Sequence, residues 1–249
     1  MINEKTAEDI IDFIRDYYKK NNLKGAVIGI SGGKDSAVVA GLFSRAIGPE
    51  NIQGLWMPCH SKEEDKKNAY LVAQKFGFNM KEVDLTGIYD NYVNEIKRVY
   101  PEVSNDNLND ANINIKPRLR MATLYYNAAM LSSLKGGTYI VPGTSNACEL
   151  YVGYFTKGGD NVSDIMVIGD LTVEEVIKVG AYIGVPNQVL KKAPDDGLSG
   201  MTDEEKLGVK YDDIAKVIEN GYVDSEVKEK IMNLHNRNRH KFITPVFKK

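Results

Sequence analysis

Apolar positions recur at helical spacing from residue 6 to 20, where Ile10, Ile14 and Tyr17 share one face, with acids early and lysines late. The rhythm then changes. "AVIGI" (26–30) is a short, unbroken apolar run ahead of a glycine turn, the mark of a strand buried on both faces. A helix is expected over 34–47, ending at Gly48-Pro49, then a strand over 52–57. Ser61 and Glu64 predict a capping box for a helix that Gly77 ends, followed by a strand at 80–85 and a helix over 86–100. Polar composition predicts a loop over 101–114, before a helix that Pro117 opens and Gly136-Gly137 closes. On that helix Met121, Leu124, Tyr125, Ala128 and Ala129 form one apolar stripe, which suits an internal face or a subunit interface. A fourth strand is expected over 138–144, and loop-like chain over 145–168. Thr172 and Glu175 cap a helix to about residue 182; a glycine-rich loop (193–205) and helices near 211–219 and 225–238 follow.

Strands alternating with helices of these lengths predict βαβ units. The fold class is therefore α/β, with a doubly wound, mainly parallel sheet and helices on both faces. One domain is expected across residues 1–249, helical from about residue 203.

Composition narrows the function classes. With 43% hydrophobic and 27% charged residues among 249, the chain is globular rather than disordered. A net charge of −2 without a basic stripe argues against nucleic acid as a partner. "KEEDKK" (62–67) and "TDEEK" (202–206) read as solvated helix surface. Two isolated cysteines, Cys59 and Cys148, suit a reducing compartment. No apolar leader is visible, and no apolar run approaches the roughly 18 residues of a membrane span. A cytoplasmic protein with no membrane partner is expected.

The glycine turn is the strongest chemical signal. It sits at the carboxyl end of a strand, where doubly wound folds bind ligands. The helix N-terminus behind it offers free N–H groups and positive potential to a phosphate. Ser31, Gly32 and Gly33 are small enough for the backbone to wrap an anion, and Asp35 and Ser36 fall in the first helical turn. Neither the P-loop pattern nor the dinucleotide fingerprint fits "GISGGKDS".

"SGGKDS" (31–36) resembles the pyrophosphate loop of the ATP-pyrophosphatase superfamily, which implies an adenine nucleotide alpha hydrolase-like fold and cleavage of ATP between its α and β phosphates. Further segments are similar to the ammonia-dependent NAD synthetases: "GTSNACELYVGYFTKGGDNVSD" (143–164), "INIKPRLRM" (113–121), "KKAPDDGLSGMTDEEKLGVKYDDI" (191–214) and "RHKFITP" (239–245). The resemblance runs from about residue 6 to 245 and implies amidation of deamido-NAD to NAD through an acyl-adenylate, releasing AMP and pyrophosphate. It assigns ATP to Gly29, Ile30, Ser31, Gly32, Gly33, Lys34, Asp35, Ser36, Thr144 and Asp195. Mg²⁺ falls to Asp35 and Glu149, two hard carboxylates of the kind that ion takes beside phosphate oxygens. Deamido-NAD falls to Arg118, Lys157, Asp164, His240 and Lys241, and Asp160 is a candidate for steering ammonium or taking its proton. Arg120, facing elsewhere on its helix, reads as structural.

Two positions depart from the family pattern: Val173 where lysine is usual, and Asp195 where serine or threonine is usual. Weaker ATP binding or a substitute cation is therefore expected, and Lys34 is the candidate substitute. Cys59-His60 has no second ligand at metal spacing and reads as loop near the adenosine, while His235 reads as surface. A glutaminase domain does not fit beside these motifs, so free ammonia is the expected donor. The resemblance also implies a homodimer with deamido-NAD near the interface. Two rivals stay open: another adenylating enzyme of the superfamily, and a nucleotide sensor without turnover.

Overall fold

The computed structural model describes residues 2–192 and 202–248. In chain order the first elements are α1 (Ile2–Asn21), β1 (Leu23–Gly29), α2 (Lys34–Ile47), β2 (Ile52–Trp56), α3 (Glu63–Phe76), β3 (Asn79–Glu82) and α4 (Thr86–Val99). The long α5 (Asn105–Lys135) leads to β4 (Thr138–Ile140), β5 (Pro142–Gly143), α6 (Ala147–Val152) and β6 (Ile165–Met166). Next come α7 (Val173–Ile183), α8 (Asn187–Leu190), α9 (Asp203–Leu207), α10 (Tyr211–Ile218) and α11 (Ser225–Asn238).

Four parallel strands lie in the order β3-β2-β1-β4, with Gly29 opposite Leu55 on one side of β1 and Ala26 opposite Ile140 on the other. A two-stranded parallel ladder, β5-β6, adds Pro142 opposite Ile165. The chain steps outward from β1 to β3 and then returns to β1's other side. That reversal is a switch point, where a crevice opens at the strands' carboxyl ends.

Alternation along β1 explains the two helical layers. Ala26, Ile28 and Ile30 face a core shared with Ile11 and Ile14 of α1, Phe43 of α2, and Val176 and Val179 of α7. Val27 faces the other way, against Leu55, Tyr139 and Ala128 of α5. Full burial of a side chain such as Phe43 contributes roughly 1.5–3 kcal/mol. A third cluster, with Cys148, Val152, Tyr211, Ile214 and Ile231, packs the C-terminal helices behind α6. Among the described residues no helix is long and apolar enough to cross a membrane.

Several local expectations are corrected. Residues 105–135 form one helix rather than a loop followed by a helix: the Ser104 side chain accepts from the Asn107 N–H, and Pro117 lies inside. The 145–168 stretch contains a helix and a strand, α6 and β6. Ser61 does not cap α3, whose N-cap is Lys62; its hydroxyl accepts from the Cys59 N–H instead. Within the two charged stretches, Asp65 and Asp203 are buried rather than solvated. Of the apolar stripe on α5, Ala128 is buried, and Leu124 and Tyr125 pack on the second core, while Ala129 is exposed.

Candidate active site

The glycine turn (30–33) hangs between β1 and α2. Gly32 has φ +81, and a Cβ there would fall 2.3 Å from the Asp65 carbonyl oxygen, so both conformation and space require glycine. Ser36 ties the loop together: its Oγ accepts from the Ser31 N–H at 3.2 Å, donates to the Gly33 carbonyl at 3.2 Å, and lies 3.0 Å from Ser31 Oγ. No side chain caps α2 at Gly33. The N–H groups of its first turn therefore point outward without intrahelical acceptors.

α6 carries Glu149 to the same place. Asn146 and Glu149 form a capping box: the Asn146 side chain accepts from the Glu149 N–H at 3.1 Å, and Glu149 Oε2 accepts from the Asn146 N–H at 3.1 Å. Asn146 Nδ2 also donates to Asp35 Oδ1 at 3.3 Å, joining the two acids' elements. Burial, and then the Asp35 carboxylate, push Glu149 well above the usual carboxylate range. Lys34, itself buried, places its ammonium 3.3 Å from Asp35 Oδ2.

These groups line one cavity of about 520 Å³. Of the residues expected to meet ATP, Gly29, Ile30, Ser31, Gly33, Lys34, Asp35, Ser36 and Thr144 are on its wall, while Gly32 holds the loop from behind. Asp195 lies outside the described residues. Val173 turns away, packing in the C-terminal apolar cluster.

Asp160 and Lys241 line the same cavity. Asp160 accepts from the Thr156 N–H at 2.9 Å, and its desolvation by surrounding protein raises its carboxyl above the ordinary range. Lys241 donates to the Gly153 and Phe155 carbonyls at 2.7 and 3.0 Å. Beyond it, Arg118 Nε donates to the Lys157 carbonyl at 3.3 Å, and Lys157 Nζ to the His240 carbonyl at 3.0 Å. Arg118, Lys157 and His240 thus join Lys241 as a basic edge, of which Lys241 alone lines the cavity. Asp164 sits apart: its carboxylate accepts from the Val141 N–H at 2.7 Å and the Tyr125 hydroxyl at 3.2 Å, bracing β4 against α5.

Asp203 and Lys192, on this wall, were not singled out by the sequence, and Arg120, expected to face elsewhere, lines it as well. Asp203 accepts from Tyr154 and Tyr211 hydroxyls at 3.0 and 3.3 Å and adds to the field that raises Glu149. Arg120 lines the cavity, with Nε donating to the Met57 carbonyl at 3.2 Å. Lys192 lines it too, paired with Asp65. Away from the wall, Cys59 is fully buried and His60 is 2.8 Å from Asp90. His235 is not plain surface, since its ring stacks on Tyr151 and its Nδ1 meets the Tyr151 carbonyl at 2.8 Å.

The donor set fits a hard dication. Two carboxylates pressed together raise the proton affinity of one of them, and a cation between them relieves the same repulsion. Among the described residues no group of three or more His, Cys, Asp or Glu side chains is placed to hold a metal alone. Such an ion would complete its shell with phosphate oxygens and water.

Comparison with known proteins agrees with this construction. The model of the NAD synthase family matches residues 6–245. The NH(3)-dependent NAD(+) synthetase of Archaeoglobus fulgidus is 40% identical over 245 residues, covering 96% of this chain and 94% of that one. The protein of the same name from Carboxydothermus hydrogenoformans is 38% identical over 239 residues, again covering 96% and 94%. Among solved structures, an NMN synthetase from Francisella tularensis superposes with a TM-score of 0.88 at 30% identity, covering 99% of this chain and 98% of that one. A chain matched this far along its length, with the motifs gathered around one cavity, belongs to the NAD synthase family.

Proposed function

We propose that this protein converts deamido-NAD to NAD, using ATP and ammonia and releasing AMP and pyrophosphate. The observation that carries the reading is one cavity joining an uncapped helix N-terminus, the Asp35–Glu149 acid pair and a basic edge. Relatives named for this ammonia-dependent reaction match nearly the whole chain, which supports the same acceptor and nitrogen donor here.

The phosphates of ATP rest on residues 29–36, with the outward N–H groups of α2 receiving their charge. Thr144 offers a hydroxyl from the cavity wall. Arg118, Lys157, His240 and Lys241 hold the acceptor so that its nicotinate carboxylate meets the α-phosphorus in line. An oxygen–phosphorus bond forms, the bond to the β-phosphate breaks, and pyrophosphate leaves. Asp35 and Glu149 would hold Mg²⁺, which supplies charge neutralisation to the departing pyrophosphate. Ammonia then attacks the acyl carbon, AMP departs, and Asp160 takes the surplus proton. Its raised proton affinity favours that task over an ordinary carboxylate. Positioning and fixed electrostatics carry most of the acceleration. Both described cysteines are free and buried, which suits a cytoplasmic enzyme.

A second reading has an observation of its own. The Francisella structure is named for NMN synthesis, so a nicotinate mononucleotide is an alternative acceptor here. Both acceptors present the same carboxylate and differ in the adenylyl half.

Product analysis with ATP, Mg²⁺, ammonium and either acceptor tests both readings, with glutamine in parallel. NAD and AMP in equal amounts, with ammonium sufficient, is the expected result. Product from the mononucleotide alone establishes the second reading. Absence of AMP with both acceptors overturns the activity and leaves a nucleotide-binding protein.

A further inference from the structure

A bound triphosphate brings several negative charges to the loop, and the cavity wall supplies four cationic side chains among the described residues: Lys34, Arg120, Lys192 and Lys241. Two are held by backbone carbonyls, and Lys34 faces an acid of the loop itself. The Lys34 ammonium faces Asp35, Arg120 Nε is on the Met57 carbonyl, and Lys241 holds the Gly153 and Phe155 carbonyls. Val173 opens α7 as part of an apolar cluster and brings no charge to the wall.

Lys192 differs in its place. Its ammonium is hydrogen-bonded to Asp65, and Asp65 backs the phosphate loop, since its carbonyl oxygen occupies the space a Cβ on Gly32 would need. The pair is largely buried, with side-chain exposures of 18% for Lys192 and 8% for Asp65. A buried ion pair gives up hydration for little net stability, so its presence asks for another reason. An ammonium carries three donors, so a bond to Asp65 Oδ1 does not exhaust what Lys192 can offer. Lys192 also lines the cavity wall, within reach of what the cavity holds.

We propose that Lys192 binds the β- and γ-phosphates of ATP, and that Asp65 is the positioning residue that holds its ammonium beside the loop. The inference rests on reading the cavity as an ATP site. Lys192 is then a binding residue for the leaving pyrophosphate, supplied by the segment after α8 instead of by the start of α7.

The test compares ATP and AMP binding to the whole protein by calorimetry, which needs no turnover. Lys192→Ala should weaken ATP by roughly 10- to 150-fold, the range expected for a charge-assisted hydrogen bond, and leave AMP within about twofold. Lys192→Arg should recover most of the loss, and Asp65→Asn should weaken ATP in the same selective way by a smaller factor. Should Lys192→Ala not fold, Lys192→Met keeps the aliphatic stem and reads the same quantity. Equal losses of ATP and AMP would mean a structural latch and overturn the inference, as would no loss at all. A selective loss in Lys34→Ala with none in Lys192→Ala would move the role to Lys34. Wild-type protein that binds ATP but makes no amide dismisses the proposed acceptor and leaves the Lys192 result intact.

Discussion

Glu149 ties the chemistry of the site to the stability of the fold. Burial and Asp35 raise its proton affinity in the native state above that of an ordinary glutamate. The sign follows from linkage: a native carboxyl with a raised pKa contributes stability below the unfolded-state value. That contribution is lost as pH rises through the raised value and is level beyond it. Glu149→Gln removes the term, so the variant should melt above wild type at neutral pH, with the gap closing toward acid. By the Mg²⁺ proposal the ion relieves the same repulsion, so it should raise the wild-type melting temperature at neutral pH and the variant's much less. Melting curves across a pH series, with and without Mg²⁺, check both expectations. A gap unchanged in strong acid would mean that Glu149 acts through packing. The variant should also lose about 10²-fold or more in kcat, the scale of a lost electrostatic contact to the reacting phosphate.

α6 concentrates two tasks in six residues, because the box that starts it also aims its carboxylate. Asn146→Ala should destabilise by about 1 kcal/mol, the usual value of a lost N-cap. The same change takes the Nδ2 donor from Asp35. Asn146→Ser keeps a cap but lacks that donor, so it should restore the melting temperature while kcat stays low. If serine restores both, the contact to Asp35 has no catalytic consequence. This element also marks what the sequence makes readable. Thr172 and Glu175 announce α7, and Asn146, Glu149 and Gly153 announce α6 by the same rule, yet six residues are too few for an apolar period to show. The polar run at 105–114 hides the first turns of α5 because that part lies near the surface, where composition mimics a loop. The glycine turn, Glu149 and the basic residues can be singled out because each stands in a local pattern of residue types. Asp203 and Lys192 are not, because their partners come from afar: Tyr154 is 49 residues from Asp203, and Asp65 is 127 from Lys192. Only the fold turns two solvated-looking acids, Asp65 and Asp203, into buried ones.

At the scale of the whole molecule, the layer on the α5 side is unfinished. α4 has no buried residue, and Ile88 and Tyr92 are 53% and 48% exposed on it. Beside it, α5 presents Tyr126, Met130 and Leu134 at four-residue spacing, with Tyr126 and Leu134 more than 70% exposed. The inward stripe of α5 is thus used by the core, and its outward one is exposed. We propose that a second copy of the chain covers it, because a two-fold contact buries the same apolar patch on both subunits at once. Arg118 projects from the same helix, so a partner seated there would border the edge assigned to deamido-NAD. Light scattering after gel filtration should give twice the chain mass for wild type. Leu134→Glu combined with Tyr126→Glu should give the single-chain mass, since two buried carboxylates per subunit without partners oppose association. In that monomer ATP binding should persist, because the loop is held by β1, α2, α3 and the start of α6, away from the exposed face of α4 and α5, while KM for the dinucleotide should rise. A wild-type protein that is fully active as a monomer would leave the exposed face of α4 and α5 without this role and place the acceptor site within one chain.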